Sequence, residues 1–179
     1  MAKSRGSPGR LSVRTESSAM VRPLSGFCSY AHRDEKHRKE LDKHLSPLRR
    51  TCQIDLWNDR EIVPGTDVHE DIDRHLASSD LVLLLISSDF LASDYCYRRE
   101  MQYAIKRHLA GAARVIPIIL RPCDWQDTPI GRLLALPKDG KPIVNWQSRD
   151  QAFLDVARGV RKAVQELVAK PPLRYGEPA

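Results

Sequence analysis

Along residues 22–169 short apolar runs alternate with amphipathic stretches, which predicts a repeating strand–helix unit. Leu24 to Tyr30 reads as the first strand and Asp34 to Arg50 as a charged amphipathic helix that Pro47 bends or ends. Cys52, Ile54 and Leu56 alternate with polar residues, the pattern of a half-exposed second strand. Trp57 to Thr66 follows as a loop with Pro64-Gly65 at its turn, and Asp67 is placed to cap a helix running to about Ser78. Leu81 to Ile86 is apolar at every position, as in a strand covered on both faces of a parallel sheet. The next helix carries Glu100 and runs to about Leu109.

Val115 to Leu120 predicts a fourth strand, and Pro117 within it points to a place near the sheet edge. Residues 124–139 read as loop with one short helical turn, Ile143 to Trp146 as a fifth strand, and Gln151 to Ala169 as a closing helix. That helix sets Phe153, Val156, Val160, Val164, Leu167 and Val168 on one stripe, and Pro171-Pro172 stops it. Five β–α units with short connections predict an α/β three-layer sandwich around a five-stranded parallel sheet. Residues 1–21, rich in Ser, Arg and Gly, predict a flexible basic tail, and residues 170–179 a Pro-containing tail or linker. The domain is thus expected over residues 22–169.

Charge changes the picture only by its location. The formal net charge is +6, but residues 1–22 hold five basic residues against one acidic, and residues 170–179 two against one. The segment between is nearly balanced, which gives no support to a basic face on the folded domain, and no nucleic-acid contact by that domain is expected. No apolar run approaches a membrane span and the start is too polar for a secretory signal, so a cytoplasmic protein is expected. The four cysteines are widely spaced with no Cys-x-x-Cys pair, which predicts free thiols. His69 and His75 share a helix but face different sides, and no ligand spacing predicts a metal.

Candidate chemistry gathers where strands end. Ser29-Tyr30, Trp57-Asn58-Asp59 and Ser87-Ser88-Asp89 all fall at the carboxyl edge of the predicted sheet, where open α/β folds bind ligands. With Cys96, Tyr97 and Glu100 this edge holds hydroxyls, an aromatic surface and a carboxylate, a mix suited to a sugar beside a flat base. Polar residues also collect at loop ends in any such fold, and a helical glutamate is most often a solvated charge. Glu100, however, has Cys96, Tyr97, Tyr103 and Ala104 as its helical neighbours, none of them basic.

Four segments, in order, carry a family resemblance. They are Phe27-Cys28-Ser29-Tyr30 with Asp34, Trp57-Asn58-Asp59 to Pro64-Gly65, Ser87-Ser88-Asp89-Phe90 to Cys96-Tyr97-x-x-Glu100, and Val115-Ile116-Pro117-Ile118. Over about residues 23–169 the chain resembles the Toll/interleukin-1 receptor (TIR) domain, in its prokaryotic-type, NAD-hydrolysing branch. The resemblance implies a flavodoxin-like sheet and Glu100 as the catalytic residue of an NAD+ glycohydrolase, giving ADP-ribose or a cyclic variant. It implies Ser29, Tyr30, Trp57, Asp59, Cys96 and Tyr97 as the substrate-binding set. NAD+ would be substrate, with no resident cofactor. Residues 57–66 match the so-called BB loop, with Ile62, Val63, Pro64 and Gly65 as its assembly segment. Homo-oligomers or filaments through TIR–TIR contacts, a sensor domain or partner protein, and a role in immunity or antiphage defence are further implications. The family often has a Trp four residues before its glutamate; here that position is Cys96, leaving Tyr95 or Tyr97 as the aromatic surface.

The chemistry suits a lone carboxylate. Nicotinamide leaves NAD+ neutral, so no second carboxyl is required to protonate it, whereas a glycosidase needs one for its leaving oxygen. Three other readings compete. A non-catalytic TIR scaffold would use the same loop. A nucleoside deoxyribosyltransferase-like enzyme also uses a glutamate, but the BB-loop and Ser29-Tyr30 matches argue against it. A receiver domain would need an acidic cluster that this sequence lacks. No Gly-rich dinucleotide fingerprint is present.

Overall fold

A computed structural model describes residues 22–51 and 53–170; the two expected tails and Cys52 fall outside them, apart from Lys170. Four parallel strands, β1 (Leu24–Ser29), β2 (Ile54–Trp57), β3 (Leu81–Ile86) and β4 (Arg114–Ile119), form one sheet in the order β2-β1-β3-β4. Chain order reverses between β1 and β3, so the crevice of an open α/β sheet is expected at their carboxyl ends.

The uniformly apolar β3 is central because both of its faces are covered. Leu81, Leu83 and Leu85 pack with α1 (Glu35–Arg50) and α5 (Arg149–Ala169), through Leu41, Leu45, Phe153 and Val160. Val82, Leu84 and Ile86 point the other way, into a second core with α2 (Val68–Ser78), α3 (Ser88–Ala92) and α4 (Gln102–Leu109). Period-two alternation with both faces buried is what an all-apolar strand encodes. β1 approaches β2 closely at Gly26, where a Cβ would lie 2.8 Å from Leu56 Cδ1.

Local signals set the helix starts. The Asp67 carboxylate accepts from the backbone N–H groups of His69 and Glu70 at the head of α2, and the Ser148 hydroxyl accepts from Gln151 at the head of α5. Pro47 does not end α1, which continues to Arg50 before Thr51 closes it.

Three expectations need correction. Residues 143–146 are not a fifth strand: Ile143–Asn145 is a 3₁₀ turn after Pro142, closed by Asn145 N–H to Pro142 O at 2.9 Å. The open edge of β4 is met by one residue, Leu136, whose N–H donates to Pro117 O at 2.8 Å while its carbonyl accepts from Ile119 at 2.7 Å. Among the described residues the sheet therefore has four strands, with Pro117 on an edge strand as its missing N–H favours. Val168 is 43% exposed, roughly a quarter-turn past the buried Leu167. The helix carrying Glu100 is not one α-helix: α3 is followed by a π-helix over Tyr95–Met101, which runs into α4.

Candidate active site

A cavity of about 760 Å³ opens at the carboxyl ends of β1 and β3, large enough for a nucleotide-sized ligand. Its floor comes from Phe27, Cys28 and Ser29 of β1, one wall from residues 59–72, and the opposite wall from Asp89 to Glu100.

Glu100 is 5% exposed, and among the described residues no basic side chain bonds to it. Its Oε2 accepts a short hydrogen bond from the Ser29 hydroxyl at the last residue of β1. Arg98 pairs with Asp94 and Arg99 with Asp73, so neither neighbouring cation neutralises it. Burial raises the Glu100 pKa to about 7; the Ser29 bond opposes that rise, and the charges of Asp59 and Asp73 add to it. A carboxyl held near neutrality in a cleft is the kind of group found at reaction centres.

Around it the polar groups are tethered. Tyr30 donates from its hydroxyl to Asp59 Oδ1 at 2.6 Å, joining the end of β1 to the 57–66 loop. Cys96 places its Sγ 3.7 Å from Tyr30 O, and burial pushes its thiol up to about 11, so it is a neutral wall and not a nucleophile. Behind the rim, buried Asp34 accepts from the Ser87 hydroxyl and from Arg121 Nε at 3.1 Å, and Arg121 also holds Asp89. This clamp ties the ends of β3 and β4 together beneath the opening.

The mouth carries cations. Arg33 and Arg60 both line it; Arg60 reaches Glu35 at 2.7 Å, while the largely exposed Arg33 stands 3.7 Å from Asp89. The 57–66 loop forms the lip. Asn58 Oδ1 accepts from Arg60 N–H at 3.2 Å to start its turn, and Gly65 takes φ 94°, which only glycine adopts cheaply. Ile62, Val63, Pro64 and Gly65 all border the cavity, and Val63 is 64% exposed.

Of the sequence-predicted set, Ser29, Tyr30, Asp59, Cys96 and Glu100 meet at this cavity. Two do not line it. Trp57 is turned toward α2, stacked 4.0 Å from the His75 ring at 7° and 5.5 Å from Phe27. Tyr97 is half-buried against the second core, off the cavity. In place of these two the cavity has Tyr95 and His69, whose rings lie 5.0 Å apart. The sequence left Tyr95 and Tyr97 as alternatives for the aromatic surface, because deciding between them requires knowing that their helix is π and not α, and it gave His69 no place in the site. Arg33 had one available signal, its position three residues after the Ser29-Tyr30 pair.

A family model described as TIR domain matches residues 27–156. The chain belongs to the TIR domain family. It is 52% identical over 153 residues to an uncharacterized protein, y4lF, of Sinorhizobium fredii (strain NBRC 101917 / NGR234), covering 84% of this chain and 47% of that protein. The chain thus spans about half the length of that curated relative. Among solved structures it is similar to the TIR domain of the Toll-related receptor TRR-2 from Hydra magnipapillata, with TM-score 0.57 and 19% identity over 78% of this chain and 97% of that one. That likeness establishes the TIR fold. The TIR domains of the activated Roq1 resistosome match with TM-score 0.46 and 17% identity, over 82% of this chain and 98% of that one.

Proposed function

We propose that this TIR domain is an NAD+ glycohydrolase with Glu100 as its catalytic residue. The observation that carries the reading is a buried carboxylate with no cationic partner among the described residues, facing a cavity of about 760 Å³ lined also by Arg33 and Arg60. NAD+ brings complementary charge to both ends, a pyridinium cation for the carboxylate and a pyrophosphate for the arginines.

Glu100 with its pKa near 7 ionises readily when a pyridinium cation arrives beside it. As the C–N bond breaks, positive charge moves from the pyridine ring onto the ribose. A buried carboxylate fixed by Ser29 stabilises that oxocarbenium-like sugar without reorganising. Nicotinamide departs neutral, with the bonding electrons on its ring nitrogen. Water capture at the sugar carbon, with loss of a proton, yields ADP-ribose. Capture by the substrate's own adenine yields a cyclic product.

Val63, exposed on a loop that also borders the cavity, supports a link between self-association and activity. A TIR–TIR contact at residues 62–65 would order the lip over bound substrate, and open head-to-tail contacts of this kind extend into filaments. A sensor segment or partner protein would trigger assembly in the cytoplasm, in immune or antiphage signalling. The test is nicotinamide release from NAD+ by assembled wild-type protein and by Glu100→Ala. Loss of the carboxylate is expected to slow release by roughly a hundred- to a thousand-fold. Equal rates of release would remove Glu100 from the chemistry, and no release by either would leave a TIR scaffold without catalysis.

A further inference from the structure

The π-helix does more than carry Glu100. On an α-helix residues five apart point to different sides, whereas an i→i+5 ladder sets them nearly one above the other. Tyr95 lies five residues before Glu100 on the π-helix Tyr95–Met101, and both side chains line the cavity. The Tyr95 ring packs against His69 at 5.0 Å, tilted by 41°, and the Arg99 guanidinium lies 5.8 Å from its centroid. Arg99 is itself anchored to Asp73, through Nε at 3.1 Å and through Nη2. The ring is therefore held in place from two sides of the sequence.

Its hydroxyl is different. It is buried and has no hydrogen-bond partner among the described residues. Burial, followed by the charge of Glu100, pushes the phenol up to about 12, so the group remains a proton donor at neutral pH. A buried donor without an acceptor is destabilising, so its retention at the wall of a cavity calls for a binding or catalytic reason. Of the other hydroxyls lining the cavity, those of Ser29, Tyr30 and Thr66 already donate, to Glu100, Asp59 and Val63 O respectively, and that of Ser93 accepts from the Cys96 N–H.

Resting on the NAD+ reading of the cavity, we infer that Tyr95 reads the departing base, donating its hydroxyl hydrogen to the carboxamide oxygen of nicotinamide. Tyr95 is then the residue that selects which N-glycoside is held beside Glu100. Recognition through a buried donor discriminates strongly, because a base lacking the acceptor leaves the hydroxyl unpaired.

The test compares wild type, Tyr95→Phe and Tyr97→Phe on three substrates: NAD+, the analogue with an acetyl group in place of the carboxamide, and the analogue with hydrogen there. The first two keep the acceptor oxygen and the third has none. Tyr95→Phe is expected to lower kcat/KM roughly ten- to a hundred-fold on the first two, chiefly through KM, and to leave the third within about twofold. Tyr97→Phe is expected to match wild type on all three. An equal loss on all three substrates, no loss on any, or the same pattern from Tyr97→Phe would overturn the assignment. Tyr95→Phe removes an unpartnered hydroxyl and keeps the ring, so its thermal midpoint should be no lower than that of wild type. NAD+ affinity measured calorimetrically in a Glu100→Gln background, with and without Tyr95→Phe, gives a second readout free of turnover. Unchanged affinity there, in a protein whose wild type does release nicotinamide, defeats the Tyr95 inference alone. A wild type that releases none defeats the glycohydrolase reading and this inference with it.

Discussion

Replacing Glu100 by Gln should make the fold more stable while abolishing its proposed activity, and the gain should depend on pH. In the folded chain burial raises the Glu100 pKa from an ordinary 4.5 to about 7. Between those values the folded state holds a proton that the unfolded chain has released. Wild-type stability contributed by this group is therefore fully present below pH 4.5 and lost as pH rises through 7. The span corresponds to about 3 kcal/mol at about 1.4 kcal/mol per pKa unit. Gln does not titrate, and its side-chain oxygen can still accept from the Ser29 hydroxyl. The variant should thus match wild type near pH 4.5 and exceed it by about 3 kcal/mol at pH 8, or roughly 6–12 °C in Tm for a domain of this size. The assay is circular-dichroism melting of both proteins from pH 4.5 to 8.5, with guanidinium midpoints where heating is irreversible. All other titrating groups are shared, so they cancel in the difference. A constant difference, or one largest at low pH, would show that the fold does not disfavour the Glu100 carboxylate and would refute the reasoning. A gain in stability from deleting a functional charge is the trade-off expected of a strained active site.

If the carboxylate is the working form, kcat/KM for NAD+ should climb with pH to a plateau, half-maximal near pH 7. Ser29→Ala removes the hydrogen bond that holds the Glu100 pKa down, so its half-maximum should move to higher pH; a profile that falls with pH would contradict both. Val63→Asp alters an exposed side chain and should change stability by less than about 0.5 kcal/mol while weakening concentration-dependent assembly, as light scattering and nicotinamide release at several concentrations would read. Gly26→Ala places a methyl 2.8 Å from Leu56 Cδ1 and should lower stability in denaturant melts by about 1–3 kcal/mol, since the buried Leu56 side chain must turn aside within a packed core.

Much of this architecture is legible from residue pattern because burial leaves a local trace. An apolar run with no polar break, Leu81 to Ile86, has only a two-sided core to occupy, and it forms the sheet centre. Asp67 before an amphipathic stretch caps α2 because the carboxylate satisfies N–H groups that any helix start exposes. Glu100 stood out through the company it keeps along the chain, with no cation at helical spacing. Position at strand ends was likewise enough to bring Ser29, Tyr30 and Asp59 to one opening.

Other features were decided only in three dimensions. Ile143 to Trp146 is apolar enough for a strand, but a four-residue run fits a turn equally well, and the edge of β4 is met instead by Leu136. Trp57 sits at the end of β2 as expected, yet which face its ring takes was settled by the His75 and Phe27 rings waiting on the α2 side. The π-helix left no sequence mark at all. An i→i+4 and an i→i+5 ladder use the same backbone groups, and only packing against the neighbouring core chooses between them. That choice brings Tyr95 and leaves Tyr97 off the cavity, so the ring beside Glu100 is set by tertiary contacts, while the carboxylate itself was written in the chain.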